Sequence, residues 1–230
     1  MEAIILAGGL GTRLQPVISQ IPKPMAPVSG KPFLQHILQW LDGNHISRVI
    51  LSVGHKWEVI HHFFGNHFQG IDLVYSVEDS PLGTGGAIAL AMEKLTNDSF
   101  FIINGDTFFN SGLDELIVFH RDGTFDLSIL LKPMKDFDRY GTVEVNKQNR
   151  ITAFNEKAPR KEGLINGGIY LANRSISAHF PPVRVFSFEK DFLEAKCSEL
   201  SFGGLISDHY FVDIGIPSDY QKAQADLPGL

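Results

Sequence analysis

The apolar run Glu-Ala-Ile-Ile-Leu-Ala at residues 2–7 breaks at Gly8-Gly9, and a third glycine at position 11 precedes Thr12 and Arg13. A short apolar run ended by turn residues reads as a buried strand. The glycines after it permit positive φ and close backbone approach, so successive N–H groups can converge on an anion. Arg13 adds a planar cation suited to bidentate contact with phosphate. Ten residues on, Lys23 lies between Pro22 and Pro24. Proline restricts both itself and the residue before it, which predicts a fixed point charge in a stiff extended segment. A tight strand-to-loop turn with no ligand is the plainer reading of the same glycines.

Two other glycine motifs compete and fail. Gly9-x-Gly11 has leucine at position 14, where a dinucleotide fingerprint needs its third glycine, and Gly54-His55-Lys56 after the second strand offers no ribose-binding acid. Gly30-Lys31 has neither a following Ser/Thr nor a glycine at position 25, so it is not a P-loop.

Further along, strands are expected at 48–53, 71–77, 100–104 and 126–131, alternating with helical spacing at 33–41, 57–64, 85–95 and 114–121. That alternation implies an α/β fold with a mostly parallel mixed sheet flanked by helices. Ligands of such sheets bind beyond the carboxyl ends of the strands, so the loops after Ala7, Val77 and Asn104 are the candidate site loops. The second half is richer in strands, at 141–145, 151–155, 164–171, 202–205 and 210–214, with helical stretches at 188–195 and 218–225. It reads as an elaboration of the same sheet. We therefore expect one domain over 1–230 with two lobes, at 1–132 and 133–230.

A net charge of −6 argues against a nucleic-acid or anionic-membrane binder. One cysteine, Cys197, rules out an internal disulfide framework. Residues 1–14 show neither an export signal nor a run long enough to span a bilayer, which points to the cytoplasm. Homo-oligomer formation is left open. Asp106, in Asn104-Gly105-Asp106, follows a predicted strand, and Asp213, before Ile214-Gly215, sits at the end of another. Singly, each reads as a turn or capping aspartate; as a pair beside a phosphate loop they suit Mg²⁺, which takes one or two protein carboxylates.

The ordered set AGGLGTRL, PKPM, GKP, EDSPLGTGGA, NGD, FNEK, NGGIY and VDIG, from about Ala3 to about Ile216, resembles the sugar-nucleotide pyrophosphorylases. Resemblance to that family implies a Rossmann-like, GT-A-like nucleotidyltransferase fold, here without the β-helix that some members append. It implies transfer of a nucleotidyl group from a nucleoside triphosphate to a sugar 1-phosphate, with Mg²⁺ held by Asp106 and Asp213. Within the family the pattern is most similar to the short bacterial members acting on D-glycero-α-D-manno-heptose 1-phosphate, with mannose 1-phosphate members next.

The same resemblance places nucleotide at Leu6, Ala7, Gly8, Gly9, Gly11, Thr12, Arg13, Glu78, Gly83 and Thr84. Arg13 would hold the leaving pyrophosphate and Lys23 the α-phosphate. Gly141, Glu156, Lys157, Asn166 and Gly167 would receive the sugar phosphate, although Glu156-Lys157 by itself reads as a solvated charge pair. Asn166-Gly167-Gly168 stands where many members have Asn-Ala-Gly.

Glu78 matches a base-contacting glutamine of thymidylyl and uridylyl relatives. An ionised carboxylate only accepts hydrogen bonds. It suits the adjacent N1–H and 2-amino donors of guanine, so GTP is favoured and CTP comes second. The alternative is a solvent-facing Glu78, with the base read by backbone at residues 83–86.

A sugar-phosphate nucleophile is already ionised near neutral pH, since its second pKa is about 6, so no general base is required. Positioning and charge neutralisation would carry the reaction. His61, His62 and His67 are accordingly read as surface or core residues. Two other classes compete. An inactive regulatory subunit is disfavoured by the presence of Arg13, Lys23 and both aspartates. A nicotinamide-dependent dehydrogenase is disfavoured by the failed fingerprint.

Overall fold

The computed structural model describes residues 1–9 and 21–229. In chain order it contains β1 (Glu2–Leu6), the short β2 (Pro27–Val28) and β3 (Lys31–Pro32), α1 (Phe33–Gly43), β4 (Arg48–Val53), α2 (Trp57–Phe64), β5 (His67–Phe68), β6 (Ile71–Val77) and α3 (Gly83–Met92). There follow β7 (Ser99–Asn104), β8 (Thr107–Phe109), α4 (Leu113–Asp122), β9 (Leu127–Phe137), β10 (Thr142–Val145), β11 (Ile151–Asn155), β12 (Arg160–Asn173), a π-helical segment (Phe188–Glu194), β13 (Phe202–Ile206), β14 (Phe211–Asp213) and α5 (Pro217–Asp226).

Among the described residues, the main sheet runs β11-β10-β12-β7-β1-β4-β6-β5, with β9 paired to β12 and β13 to β9. The centre, β7-β1-β4-β6, is parallel throughout. The second half adds antiparallel pairs, because β12 turns back along β7 and also carries β9 and β10. The sheet is therefore mixed, with its central parallel part in the first half and one further parallel pair, β13 with β9, and it passes between the halves through β12 without a break. Residue 132 lies inside β9.

Alternation along the central strands sends side chains to two cores. Ala3, Ile5, Val49, Leu51, Phe101 and Ile103 face the layer of α1, α2, α4 and α5. Ile4, Ile50, Phe100 and Ile102 face α3 and the π-helical segment. Buried on both sides, these strands read as continuous apolar runs, which is why the sequence located them well.

Helix α3 departs from amphipathic spacing. Its first turns carry Gly85 and Gly86 because residues 184–186 lie directly on them: a Cβ on Gly86 or Gly85 would collide with the Arg184 carbonyl or the Phe186 ring. This strap is fastened by Phe186 N–H donating to Leu82 O at 3.0 Å and Gly85 N–H donating to Phe186 O at 3.0 Å. The helix begins at Gly83, two residues earlier than its apolar spacing predicts, since Gly83 enters it at φ +70°.

Candidate active site

All four parallel strands end at one edge of the sheet, and a cavity of about 940 Å³ opens there. Its walls come from four loops: Leu6, Gly8 and Gly9 after β1, Ser52 to Glu58 around the end of β4, Val77 to Thr84 after β6, and Asn104 to Asp106 after β7. The loops are drawn together by backbone bonds between neighbours. Ala7 N–H donates to Ser52 O at 2.8 Å, Glu78 N–H to Val53 O at 2.9 Å, and Gly105 N–H to Leu6 O at 3.0 Å. Gly105 must be glycine for this approach, because a Cβ would stand 2.5 Å from Leu6 O.

Gly8 serves a different neighbour. A Cβ there would fall 2.9 Å from Glu78 Oε1, so the missing side chain lets the Glu78 carboxylate lie across the loop. Glu78 Oε2 accepts from Leu82 N–H at 3.0 Å. Burial raises the Glu78 pKa and the Leu82 N–H opposes that rise. The carboxylate faces the cavity, not bulk solvent. Gly83 and Thr84 also line the cavity, but the Gly85 N–H is already taken by Phe186 O.

At the other end of the cavity Lys23 Nζ lies 2.6 Å from Asp106 Oδ2, with only 10% of the lysine side chain exposed. The segment around Lys23 is not extended throughout, as the two prolines led us to expect. Pro22 is extended, but Lys23–Met25 closes a 3₁₀ turn, with Met25 N–H donating to Pro22 O and Ala26 N–H to Lys23 O. Pro24 tolerates this because its fixed φ suits the first turn and its missing N–H has no partner to lose there.

Asp213 reaches Asp106 through a ribbon that the sequence reading missed. β14 pairs with β8, which sets Asp213 opposite Thr107, and Ile214 N–H donates to Asp106 O at 3.0 Å. Asp213 Oδ1 accepts from Gly215 N–H at 2.7 Å, and the Tyr140 hydroxyl lies 3.5 Å from Oδ2. Burial and the nearby Asp106 charge raise the Asp213 pKa, while Lys23 pulls it back. Tyr140 is in turn held by Arg139, which also pairs with Asp219 on α5.

Two oxygen-donor carboxylates whose charges oppose each other in a half-buried site suit a hard divalent cation such as Mg²⁺. Among the described residues no group of three or more His, Cys, Asp or Glu side chains is arranged to cage a metal. The ion that fits is therefore one completed by water and phosphate oxygens.

The predicted sugar residues do not line this cavity. Glu156 is 76% exposed and pairs with Lys190 at 3.3 Å; Lys157 is also exposed. Asn166 donates to the Tyr170 hydroxyl at 2.8 Å and accepts from Gly168 N–H at 2.9 Å. Gly141 and Gly167 sit where a Cβ would strike the Asn155 carbonyl and the Phe109 ring respectively. Ala7 is buried beneath the cavity and is not among its lining residues. Gly11, Thr12 and Arg13 lie outside the described residues.

Sequence reasoning overlooked His55 and Trp57, although the loop after β4 ends at the same edge as the three loops it chose. The glycine at position 54 was the available signal. It also overlooked Glu189, which reaches the cavity from the second half of the chain. His61 packs at a tilt against Trp57 and edge-on against Tyr75, and His67 pairs with Asp72 on the surface.

The architecture, with a cavity of about 940 Å³ at the carboxyl edge and a lysine and an aspartate at one end beside a second aspartate, is that of a nucleotide-handling α/β enzyme. A family model described as "Nucleotidyl transferase" matches residues 2–228. The chain belongs to the nucleotidyl transferase family and is an enzyme of that class. It is 52% identical to a D-glycero-alpha-D-manno-heptose 1-phosphate guanylyltransferase of Aneurinibacillus thermoaerophilus, over 99% of this chain and 98% of the relative. It is 47% identical to the enzyme of the same description from Campylobacter jejuni, over 96% and 97%. A crystal structure of HddC from Yersinia pseudotuberculosis complexed with GMP-PN superposes with a TM-score of 0.85 at 36% identity, covering 97% of each chain. Nucleotidyltransferases in general use divalent metal ions.

No helix among the described residues is long and apolar enough to cross a membrane.

Proposed function

We propose that this enzyme transfers a guanylyl group from GTP to D-glycero-α-D-manno-heptose 1-phosphate, releasing pyrophosphate, in the cytoplasm. The observation that carries the reading is the polarity of the cavity. It has an acceptor carboxylate, Glu78, at one end and Lys23 with Asp106 at the other, where Asp213 stands beside them. A guanine base presents two adjacent donors to the first; a triphosphate presents negative charge to the Lys23 ammonium and to a divalent cation held by the two carboxylates. The relatives described above, similar over nearly their whole length, support both the base and the sugar.

In this reading Asp106 and Asp213 hold Mg²⁺, which supplies charge neutralisation at the phosphates. Lys23 moves its charge from Asp106 to the α-phosphate when the nucleotide arrives. Leu6, Ala7, Gly8, Gly9, Gly11 and Thr12 bind the nucleotide together with Gly83 and Thr84, and Arg13 holds the leaving pyrophosphate. Lys157 receives the sugar phosphate, Glu156 its hydroxyl groups, and Gly141, Asn166 and Gly167 shape that side. The sugar-phosphate oxygen attacks the α-phosphorus in line and the P–O bond to pyrophosphate breaks. The second lobe, 133–230, carries the acceptor substrate and the first, 1–132, the nucleotide, within one domain.

The test is pyrophosphate release with GTP, CTP, UTP or dTTP against heptose and mannose 1-phosphates in the presence of Mg²⁺. The pair GTP and heptose 1-phosphate is expected to give the highest kcat/KM. Faster reaction with mannose 1-phosphate would overturn the sugar assignment, and faster reaction with another triphosphate the base assignment.

A further inference from the structure

Glu189 is the one cavity-lining residue that comes from beyond Asp106 among the described residues. It is carried by the π-helical segment Phe188–Glu194, which packs on α3. Two hydroxyl groups fix one of its oxygens: Thr84 Oγ1 donates to Oε2 at 2.8 Å and Ser187 Oγ donates to Oε2 at 3.2 Å. Thr84 in turn accepts from Phe188 N–H at 2.9 Å. The Thr84 hydroxyl is thus engaged in holding the Glu189 carboxylate. Among the described residues no hydrogen bond is made to Oε1.

A half-buried carboxylate with one oxygen fixed and the other without a bond awaits a donor. Phosphate oxygens carry the wrong sign. A shared metal ion is the second choice, but Glu189, Asp106 and Asp213 do not form a group able to hold one in this arrangement. Hydroxyl groups remain, and both substrates of this reaction are rich in them. The neighbouring residue points the same way, since Lys190 pairs with Glu156, so Glu189 stands at the passage from the nucleotide cavity toward the sugar side.

Resting on the proposed guanylyl transfer, we propose that Glu189 is a binding residue whose carboxylate accepts a hydroxyl group of a bound sugar ring, that of the nucleotide ribose or of the sugar phosphate. Thr84 and Ser187 orient that carboxylate.

The experiment compares the full chain with Glu189→Gln and Glu189→Ala. Binding of GTP and of heptose 1-phosphate is followed separately by calorimetry, and steady-state KM and kcat are measured for both. Loss of a hydrogen bond to a charged acceptor is expected to raise one KM about tenfold or more, with kcat less affected. If the ribose is the partner, the parent prefers GTP over 2′-deoxy-GTP or 3′-deoxy-GTP, and that preference is lost in Glu189→Gln. If the sugar phosphate is the partner, GTP parameters stay at parental values and only the sugar-phosphate KM rises.

Parental values of both KM and both binding constants in both variants would overturn the proposal. So would a shift confined to the Mg²⁺ dependence of the rate, which would make the carboxylate a metal ligand. Should the variants melt early, the deoxy analogues and a sugar phosphate lacking ring hydroxyls are compared on the parent. Parental tolerance of every such loss then counts against Glu189. A parent that binds both ligands but releases no pyrophosphate would defeat the proposed reaction, and the binding data would still decide the role of Glu189.

Discussion

Two glutamates mark the two edges of the parallel sheet. At the start of β1, buried Glu2 pairs with Arg48, accepts from the N–H groups of Thr96 and Asn97 at 2.8 and 2.7 Å, and accepts from Thr96 Oγ1 at 3.0 Å. Across the sheet, beyond β6, Glu78 has one backbone partner and an empty space of about 940 Å³ in front of it. The first pKa is lowered because its hydrogen bonds and Arg48 outweigh the burial that opposes them; the second is raised by burial. A buried carboxylate with every acceptor site filled ties elements together, whereas one left short of donors is arranged for a ligand. The contrast separates the structural edge from the binding edge without reference to any relative.

Three substitutions, one of them read in two ways, can break or sharpen that contrast. The largest effect is expected at Asp213→Asn, which removes one of two converging charges. Pyrophosphate release should fall about 100- to 1,000-fold while the melting temperature holds or rises, because the charge removed is a disfavoured one. Next comes Glu78→Gln. The ratio of GTP to UTP turnover should drop about tenfold or more, since an amide offers a donor where guanine also donates. An unchanged ratio would remove Glu78 from base recognition.

Glu2→Gln should leave kinetics at parental values but cost about 1–3 kcal/mol of stability at neutral pH, read from denaturant midpoints. The sign with pH follows from the lowered pKa. The Glu2 contribution is present above the carboxylate's unfolded value and is lost as pH falls through the folded one, so parent and variant should converge in acid. The smallest change is expected in the stability of ligand-free Glu78→Gln, and in the opposite direction. A raised folded pKa means the ionised form is held at some cost, so this variant should be slightly more stable than the parent at neutral pH, with the gap closing on acidification.

The parallel core was legible because strands such as 48–53 and 71–77 are bounded apolar runs with punctuation on both sides. Glu78, Asp106, Gly8 and Gly9, which line the cavity, were legible as candidates because each lies in the loop just after such a strand. What stayed hidden depends on distant partners. β8 is a stretch of three residues with no period to detect, yet it decides where Asp213 goes. Glu189 lies in a charged helical stretch that resembles any solvent face; only the hydroxyl of Thr84, 105 residues earlier, marks it. Lys157 and Glu156 were named through resemblance, and their exposed positions explain why composition and periodicity had nothing to say about them.

The β8–β14 ribbon also bears on how the enzyme is made. Asp106 is in place once the first half of the sheet has formed, but its partner carboxylate is about 100 residues away along the chain, and contacts of that range close late. During synthesis from the N-terminus, the loops that carry Gly8, Lys23, Glu78 and Asp106 are thus made well before the second carboxylate. On the proposed roles of these residues, the carboxylate pair suited to a metal ion is the last part of the site to be assembled.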